Sequence, residues 1–207
     1  METLTIAIAK GRLGKKGLKL FEETEYAIEM EEDSRKLIFN NANKTINFVF
    51  VKPCDVVTYV EKGVADMGIV GRDTILEENK DVYEVLDLNY GKCKFVVAGF
   101  ENQDLIKQND ILKIATKYPS YVDSVFKSRG QKIEIIKLGG AIELAPLMGL
   151  SEVIVDIVET GSTLKDNGLV VLEDLDPISA RLIVNKVSYR FNYEEIQKIQ
   201  KVLGERR

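Results

Sequence analysis

Short apolar runs rich in β-branched residues alternate with stretches of helical periodicity along almost the whole chain, and this alternation constrains the fold most. Strand-type runs occupy residues 3–9, 35–40, 45–51, 65–70, 82–88, 94–99, 113–116, 132–138, 169–175 and 181–187, and another opens 153–164. Helix-type stretches begin at residue 18, at 52–55, after 71–73, at 119–128, at 141–150 and at 193–203. Parallel strands need crossover connections, usually helices, so such alternation predicts α/β architecture with largely parallel sheets covered on both faces. The pattern restarts at Gly91, giving two α/β units: residues 1–91 with 181–207, and residues 92–180. Ligands of such sheets bind at loops beyond the carboxyl ends of the strands, and two facing units make a central cleft. A chain of 207 residues can bury a full core.

The stretch VIVDIVETGSTL at 153–164 carries the clearest chemistry. It begins as an apolar strand, places carboxylates at Asp156 and Glu159, and breaks at Thr160, Gly161, Ser162 and Thr163 before a helix-compatible segment. Backbone N–H groups in such a turn, backed by a helix start and flanked by hydroxyls, suit a phosphate. A carboxylate can accept bonds from two ribose hydroxyls at once. The motif thus reads as a site for a phosphorylated sugar.

Residues 10–17, KGRLGKKG, form a basic, glycine-rich loop after the first strand. The loop lacks the Gly-Lys-Ser/Thr closure of a P-loop NTPase. On residues alone, a solvated turn and an anion-binding loop both remain open. Further on, Asn41, Ala42, Asn43 and Lys44 make a hairpin turn. Asp55 is a candidate N-cap, Val56, Val57, Tyr59 and Val60 are spaced for a buried face, and Gly63 ends that helix. Arg72 reads as a surface charge.

Composition excludes several classes. Twenty-nine basic against thirty-three acidic residues give a net charge of −4, which argues against a broad nucleic-acid-binding face. No apolar run approaches the roughly 18 residues of a membrane span, and no basic leader precedes an apolar run at the start, so a cytoplasmic location is expected. The two cysteines, Cys54 and Cys93, lie far apart, and the chain contains no histidine. A structural zinc site and every Ser-His or Cys-His mechanism are therefore excluded, and a disulfide is not expected.

Several blocks together resemble the ATP phosphoribosyltransferase catalytic subunit of histidine biosynthesis in its short form. They are AIAKGRL (7–13), DVVTYVEKGVADMGIVGRD (55–73), LNYGKCKFVVAG (88–99), IATKYP (114–119), IELAPLMGL (142–150), VDIVETGSTLKDNGL (155–169) and SARLIVNK (179–186). The resemblance implies a two-domain α/β fold with a central cleft, similar to type II periplasmic binding proteins. It implies transfer of phosphoribosyl from phosphoribosyl pyrophosphate to N1 of ATP, with Mg²⁺ held mainly through substrate phosphates and no firm metal ligand in the chain. It also implies a regulatory subunit similar to histidyl-tRNA synthetase, a hetero-oligomer with self-association, and no separate C-terminal regulatory domain.

By the same resemblance, Thr160, Gly161, Ser162 and Thr163 take the 5′-phosphate and Asp156 the ribose hydroxyls, all from residues 92–180. Lys10, Gly11 and Arg12 meet the pyrophosphate from the other unit, with Arg35 and Lys52 near the leaving group. Glu143 contacts substrate, and Glu159 is a solvated carboxylate. Lys52 stands where the family usually has arginine, keeping the charge but losing the bidentate fork, and Val57 replaces a common proline. Two rival readings carry different chemistry. One is a non-catalytic binding module that closes on a small anion; the other is a nucleotide-salvage phosphoribosyltransferase, whose phosphate loop usually shows adjacent acids, whereas here Ile157 and Val158 separate Asp156 from Glu159.

Overall fold

The apolar runs become strands, and these collect into two sheets in two units, Met1–Gly91 with Ser179–Arg207 (unit 1) and Lys92–Ile178 (unit 2). The computed structural model describes residues 3–28, 36–103, 105 and 111–207. Unit 1 begins with β1 (Leu4–Ala9), α1 (Arg12–Lys19), β2 (Ile38–Asn40), β3 (Ile46–Val51), α2 (Pro53–Glu61), β4 (Met67–Gly71), α3 (Arg72–Glu78) and β5 (Tyr83–Asp87). Unit 2 contains β6 (Cys93–Gly99), β7 (Leu112–Thr116), α4 (Pro119–Ser128), β8 (Ile133–Lys137), α5 (Leu144–Leu147), β9 (Val153–Val158), α6 (Ser162–Asp166) and β10 (Val170–Ile178). The chain then returns to unit 1 with β11 (Ala180–Val184), α7 (Lys186–Phe191) and α8 (Tyr193–Arg206). Ser179 and Ala180 lie in unit 1, where Ala180 opens β11.

The sheet of unit 1 has the order β2-β3-β1-β4-β11-β5, with β1 parallel to β3 and β4. That of unit 2 has the order β10-β6-β9-β7-β8, with β7 parallel to β8 and β9. The sheets are more mixed than alternation alone suggests. β11 runs antiparallel to β4 and β5, and β6 antiparallel to β9 and β10. These strands do not arrive through a crossover helix from a neighbour, so nothing forces them parallel.

Alternating side chains of β1 feed two cores. Ile6 and Ile8 pack with Phe21, Phe48, Met67 and Ile69 on one side, closed by Ile196, Ile199 and Leu203 of α8. The spacing of those last three residues places them on one helix face. Ala7 and Ala9 face Val56, Val57 and Val60 of α2 on the other side. In unit 2, Val96, Ala98, Ala115 and Ile154 pack against Ile142, Ala145, Leu164 and Leu169, while Phe95 stacks on Tyr121 with ring centroids 4.0 Å apart.

Several local expectations are corrected. The supposed loop at 10–17 is mostly helix: α1 starts at Arg12, with Gly14 and Gly17 buried. Glycine is a weak helix former, but here it admits a close helix–sheet approach. A Cβ on Gly17 would stand 2.8 Å from Tyr90 Oη and 3.1 Å from Ile69 Cγ2. Asp55 lies inside the first turn of α2; Lys52 is the N-cap and Pro53 follows, its fixed φ suiting that position. Tyr59 is exposed, unlike the three valines. The expected helix at 141–150 shrinks to α5, because Ala141 adopts φ 44° just before it. Residues 186–187, expected in a strand, open α7 instead. Asn185 caps that helix by accepting from Val187 N and Ser188 N at 2.9 and 3.0 Å. Arg72 is largely covered, its amide donating to Ser179 O at 3.0 Å and its side chain 3.8 Å from Glu84.

Candidate active site

In unit 2, β9 and α6 hold the strand–turn–helix motif. Val153, Ile154 and Val155 are fully buried, so the strand is anchored while Asp156, at 14% side-chain exposure, reaches the edge of the core. Asp156 Oδ1 accepts from Ile157 N at 2.9 Å, and its Oδ2 lies 3.9 Å from Lys117 Nζ. The turn closes at Gly161, which has φ 77° and ψ 5° and leads directly into α6. A side chain at that backbone conformation is strained, which explains the glycine. Thr160 Oγ1 and Ser162 Oγ are 3.1 Å apart, and Ser162 N donates to Thr160 Oγ1 at 3.4 Å. Thr160, Ser162 and Thr163 are exposed, while Leu164 is buried below them and fixes the turn to the core. The result is a glycine-shaped turn lined by hydroxyls, with a part-buried carboxylate on the strand that leads into it.

β7, β8 and β9 are parallel, so the segments that follow them leave from one sheet edge. The segment after β7 carries Lys117, and the one after β8 carries Glu143, the half-buried N-cap of α5. Glu159 is exposed, in keeping with a solvated carboxylate.

In unit 1 the parallel pair β1 and β3 brings Lys10, Gly11, Arg12 and Lys52 to one end. Ala9 is in register with Val51, and Lys10 N donates to Val51 O at 2.8 Å. Gly11 sits at φ 107° as the N-cap of α1, and Lys10, Gly11, Arg12 and Lys52 are all exposed. Beside them is a cavity of about 400 Å³, lined by Lys10, Gly11, Lys15 and Lys36 together with Leu37, Phe39 and Phe50. It offers cations for phosphate beside apolar and aromatic surface. Cavities of about 460 and 590 Å³ around Arg190 and Tyr193 contain none of the expected residues. Arg35 lies outside the described residues.

Sequence reasoning did not single out Lys117 or Lys36, and it read Lys15 only as part of the basic stretch 10–17. The signal for Lys117 was its position at the end of a strand-type run, a place where sheets of this kind present ligand-binding groups. Among the described residues no group of three Cys, Asp or Glu could hold a metal ion.

With this geometry in place, comparison with known proteins decides the family. The family model described as HisG: ATP phosphoribosyltransferase matches residues 52–205. The chain belongs to the ATP phosphoribosyltransferase family. It is 56% identical to the ATP phosphoribosyltransferase of Clostridioides difficile over 99% of each chain. Against that of Clostridium kluyveri it is 52% identical, over 95% of this chain and 90% of the other. A solved chain of the ATP phosphoribosyl transferase (HisG:HisZ) complex from Thermotoga maritima is 35% identical, with TM-score 0.85 and 98% of each chain covered. The periplasmic aliphatic sulphonate binding protein SsuA from Escherichia coli, at 16% identity, shares the fold with TM-score 0.56 over 99% of this chain and 72% of its own. The two-unit α/β fold is thus of the kind seen in periplasmic binding proteins.

The reaction of the ATP phosphoribosyltransferase family moves phosphoribosyl from phosphoribosyl pyrophosphate to N1 of ATP. The products are phosphoribosyl-ATP and pyrophosphate, in the first step of histidine biosynthesis. The chain is a transferase of this kind, which sets aside the non-catalytic binding module. No helix among the described residues is long and apolar enough to cross a membrane.

Proposed function

We propose that the strand–turn–helix motif of unit 2 binds the ribose 5-phosphate part of phosphoribosyl pyrophosphate, with Asp156 accepting from the ribose hydroxyls. Thr160, Gly161, Ser162 and Thr163 surround the 5′-phosphate. Lys10, Gly11 and Arg12 meet the pyrophosphate, Lys52 and Arg35 stabilise it as it leaves, and Glu143 contacts substrate. The observation that carries this reading is the combination of a part-buried carboxylate on β9 with the hydroxyl-lined turn shaped by Gly161 at φ 77°.

In the reaction the N1 lone pair of adenine forms a bond to C1 of the ribose while the bond from C1 to the pyrophosphate oxygen breaks, its electrons leaving with the pyrophosphate. Adenine N1 is already nucleophilic, so no activated side chain is required, and a chain without histidine loses nothing by lacking one. The residues' work is alignment and stabilisation of charge on the leaving group, which account for much of the rate in such reactions. When bound, Mg²⁺ carried on the substrate phosphates would supply further neutralisation of that charge.

The chain acts in the cytoplasm as the catalytic subunit of a hetero-oligomer that also self-associates, with a regulatory subunit similar to histidyl-tRNA synthetase. Support for the partner comes from the HisG:HisZ complex of the Thermotoga relative. The test is pyrophosphate release from ATP and phosphoribosyl pyrophosphate, with and without that subunit and with free adenine in place of ATP. The proposal expects release with ATP, stimulation by the subunit and none with adenine. Release with adenine would favour a salvage enzyme.

A further inference from the structure

We infer that Lys117 is a positioning residue for phosphoribosyl transfer, holding the Asp156 carboxylate aimed at the ribose hydroxyls. The inference rests on the role proposed above for Asp156.

Strand register puts Lys117 where it can do this. β7 lies beside β9 with Thr116 opposite Val155. Thr116 is fully buried; its Oγ1 donates to Val155 O at 2.7 Å and accepts from Tyr118 N at 2.9 Å. The backbone on both sides of Lys117 is therefore tied down, and on one side it is tied to the residue preceding Asp156. From that base the ammonium reaches to 3.9 Å from Asp156 Oδ2, beyond a hydrogen bond but within a charge–charge contact.

The burial of the carboxylate gives this contact its weight. At 14% side-chain exposure Asp156 is largely withdrawn from water, whereas Lys117 remains 41% exposed. The carboxylate is then held from two directions, with Oδ1 taking the Ile157 amide at 2.9 Å and Oδ2 facing the ammonium. Near the other end of β7, Lys113 and Glu134 are also 3.9 Å apart, but their side chains are 52% and 55% exposed. That pair is open to solvent screening on both sides.

The test is steady-state kinetics of the full chain with its regulatory subunit, comparing Lys117→Met, Lys117→Arg, Asp156→Asn and the Lys117→Met/Asp156→Asn double variant. Lys117→Met is expected to raise KM for phosphoribosyl pyrophosphate on the order of 10-fold, within the range of coupling between neighbouring charges. KM for ATP and the thermal midpoint stay near those of the parent, Lys117→Arg restores most of the loss, and the double variant is no worse than Asp156→Asn. Unchanged kinetics in Lys117→Met, or the same further loss in the Asp156→Asn background, would overturn the inference while leaving the Asp156 assignment intact. A silent Asp156→Asn would overturn both.

Discussion

Gly14 packs so tightly on the end of β1 that a Cβ there would stand 1.8 Å from the carbonyl oxygen of Ala9. The obstructing atom is backbone, so it cannot swing away. This contact sets the approach of α1 to the sheet, and with it the position of Lys10, Gly11 and Arg12.

Gly14→Ala is therefore expected to destabilise unit 1, although alanine is the better helix former by about 1 kcal/mol. Overpacking of this kind costs about 2 kcal/mol or more. Net of the propensity gain, about 1 kcal/mol or more is lost, which for a chain of this size corresponds to a fall in Tm of at least about 2–4 °C. Gly139→Ala, where an added Cβ meets nothing within 4 Å, serves as the control and should stay within about 0.5 kcal/mol of the parent. Thermal unfolding of both variants checks the contrast.

Asp87 gives unit 1 a dependence on acid. Burial pushes its carboxyl up, but the Asn89 amide, the Ser179 hydroxyl at 2.8 Å and the guanidinium groups of Arg181 and Arg207 outweigh burial and hold it below the usual carboxylate range. A folded pKa below the unfolded one means that the stabilisation is present above the unfolded value of about 4 and disappears as pH falls through the lower, folded value. Tm measured from pH 6 downward should fall less steeply below about pH 4 in Asp87→Asn than in the parent. Parallel curves would show that Asp87 contributes nothing to the acid limb.

Lys52 tests the leaving-group assignment. Removing an electrostatic donor from an enclosed site costs about 10²–10³ in kcat. Lys52 is exposed, where the effective dielectric weakens the interaction, so Lys52→Gln is expected to lower kcat on the order of 10-fold with a smaller change in KM for phosphoribosyl pyrophosphate. Lys52→Arg should match or exceed the parent, because the guanidinium adds a bidentate fork. A loss confined to KM would instead make Lys52 a ground-state binding residue.

The features legible in the sequence were those fixed by neighbours along the chain. The strand at 153–158 follows from its β-branched run, and the turn after it from Gly161 among hydroxyl residues. The end of α2 follows from Gly63, although its N-cap, Lys52, lies three residues before the Asp55 cap that the residues suggest. What escaped depends on contacts far away in sequence. Gly14 and Gly17 look like helix breakers until Ala9, Ile69 and Tyr90 are seen against them. The antiparallel direction of β11 depends on the return of the chain from unit 2, which no local pattern records. Arg72 looked like a surface charge because Glu84 and Ser179, its partners, lie on β5 and just before β11. Lys117 was passed over for the same reason, since its relation to Asp156 exists only through the β7–β9 register.

The central claim is that the turn on β9 and α6 holds the ribose 5-phosphate, and kinetics of Asp156→Asn and Thr163→Val with phosphoribosyl pyrophosphate as the varied substrate test it most directly. Loss of a hydrogen bond to a charged group predicts a fall in kcat/KM for that substrate on the order of 10- to 100-fold in each variant, with the fold and the KM for ATP unchanged. Near-parental kcat/KM in both variants would contradict the account.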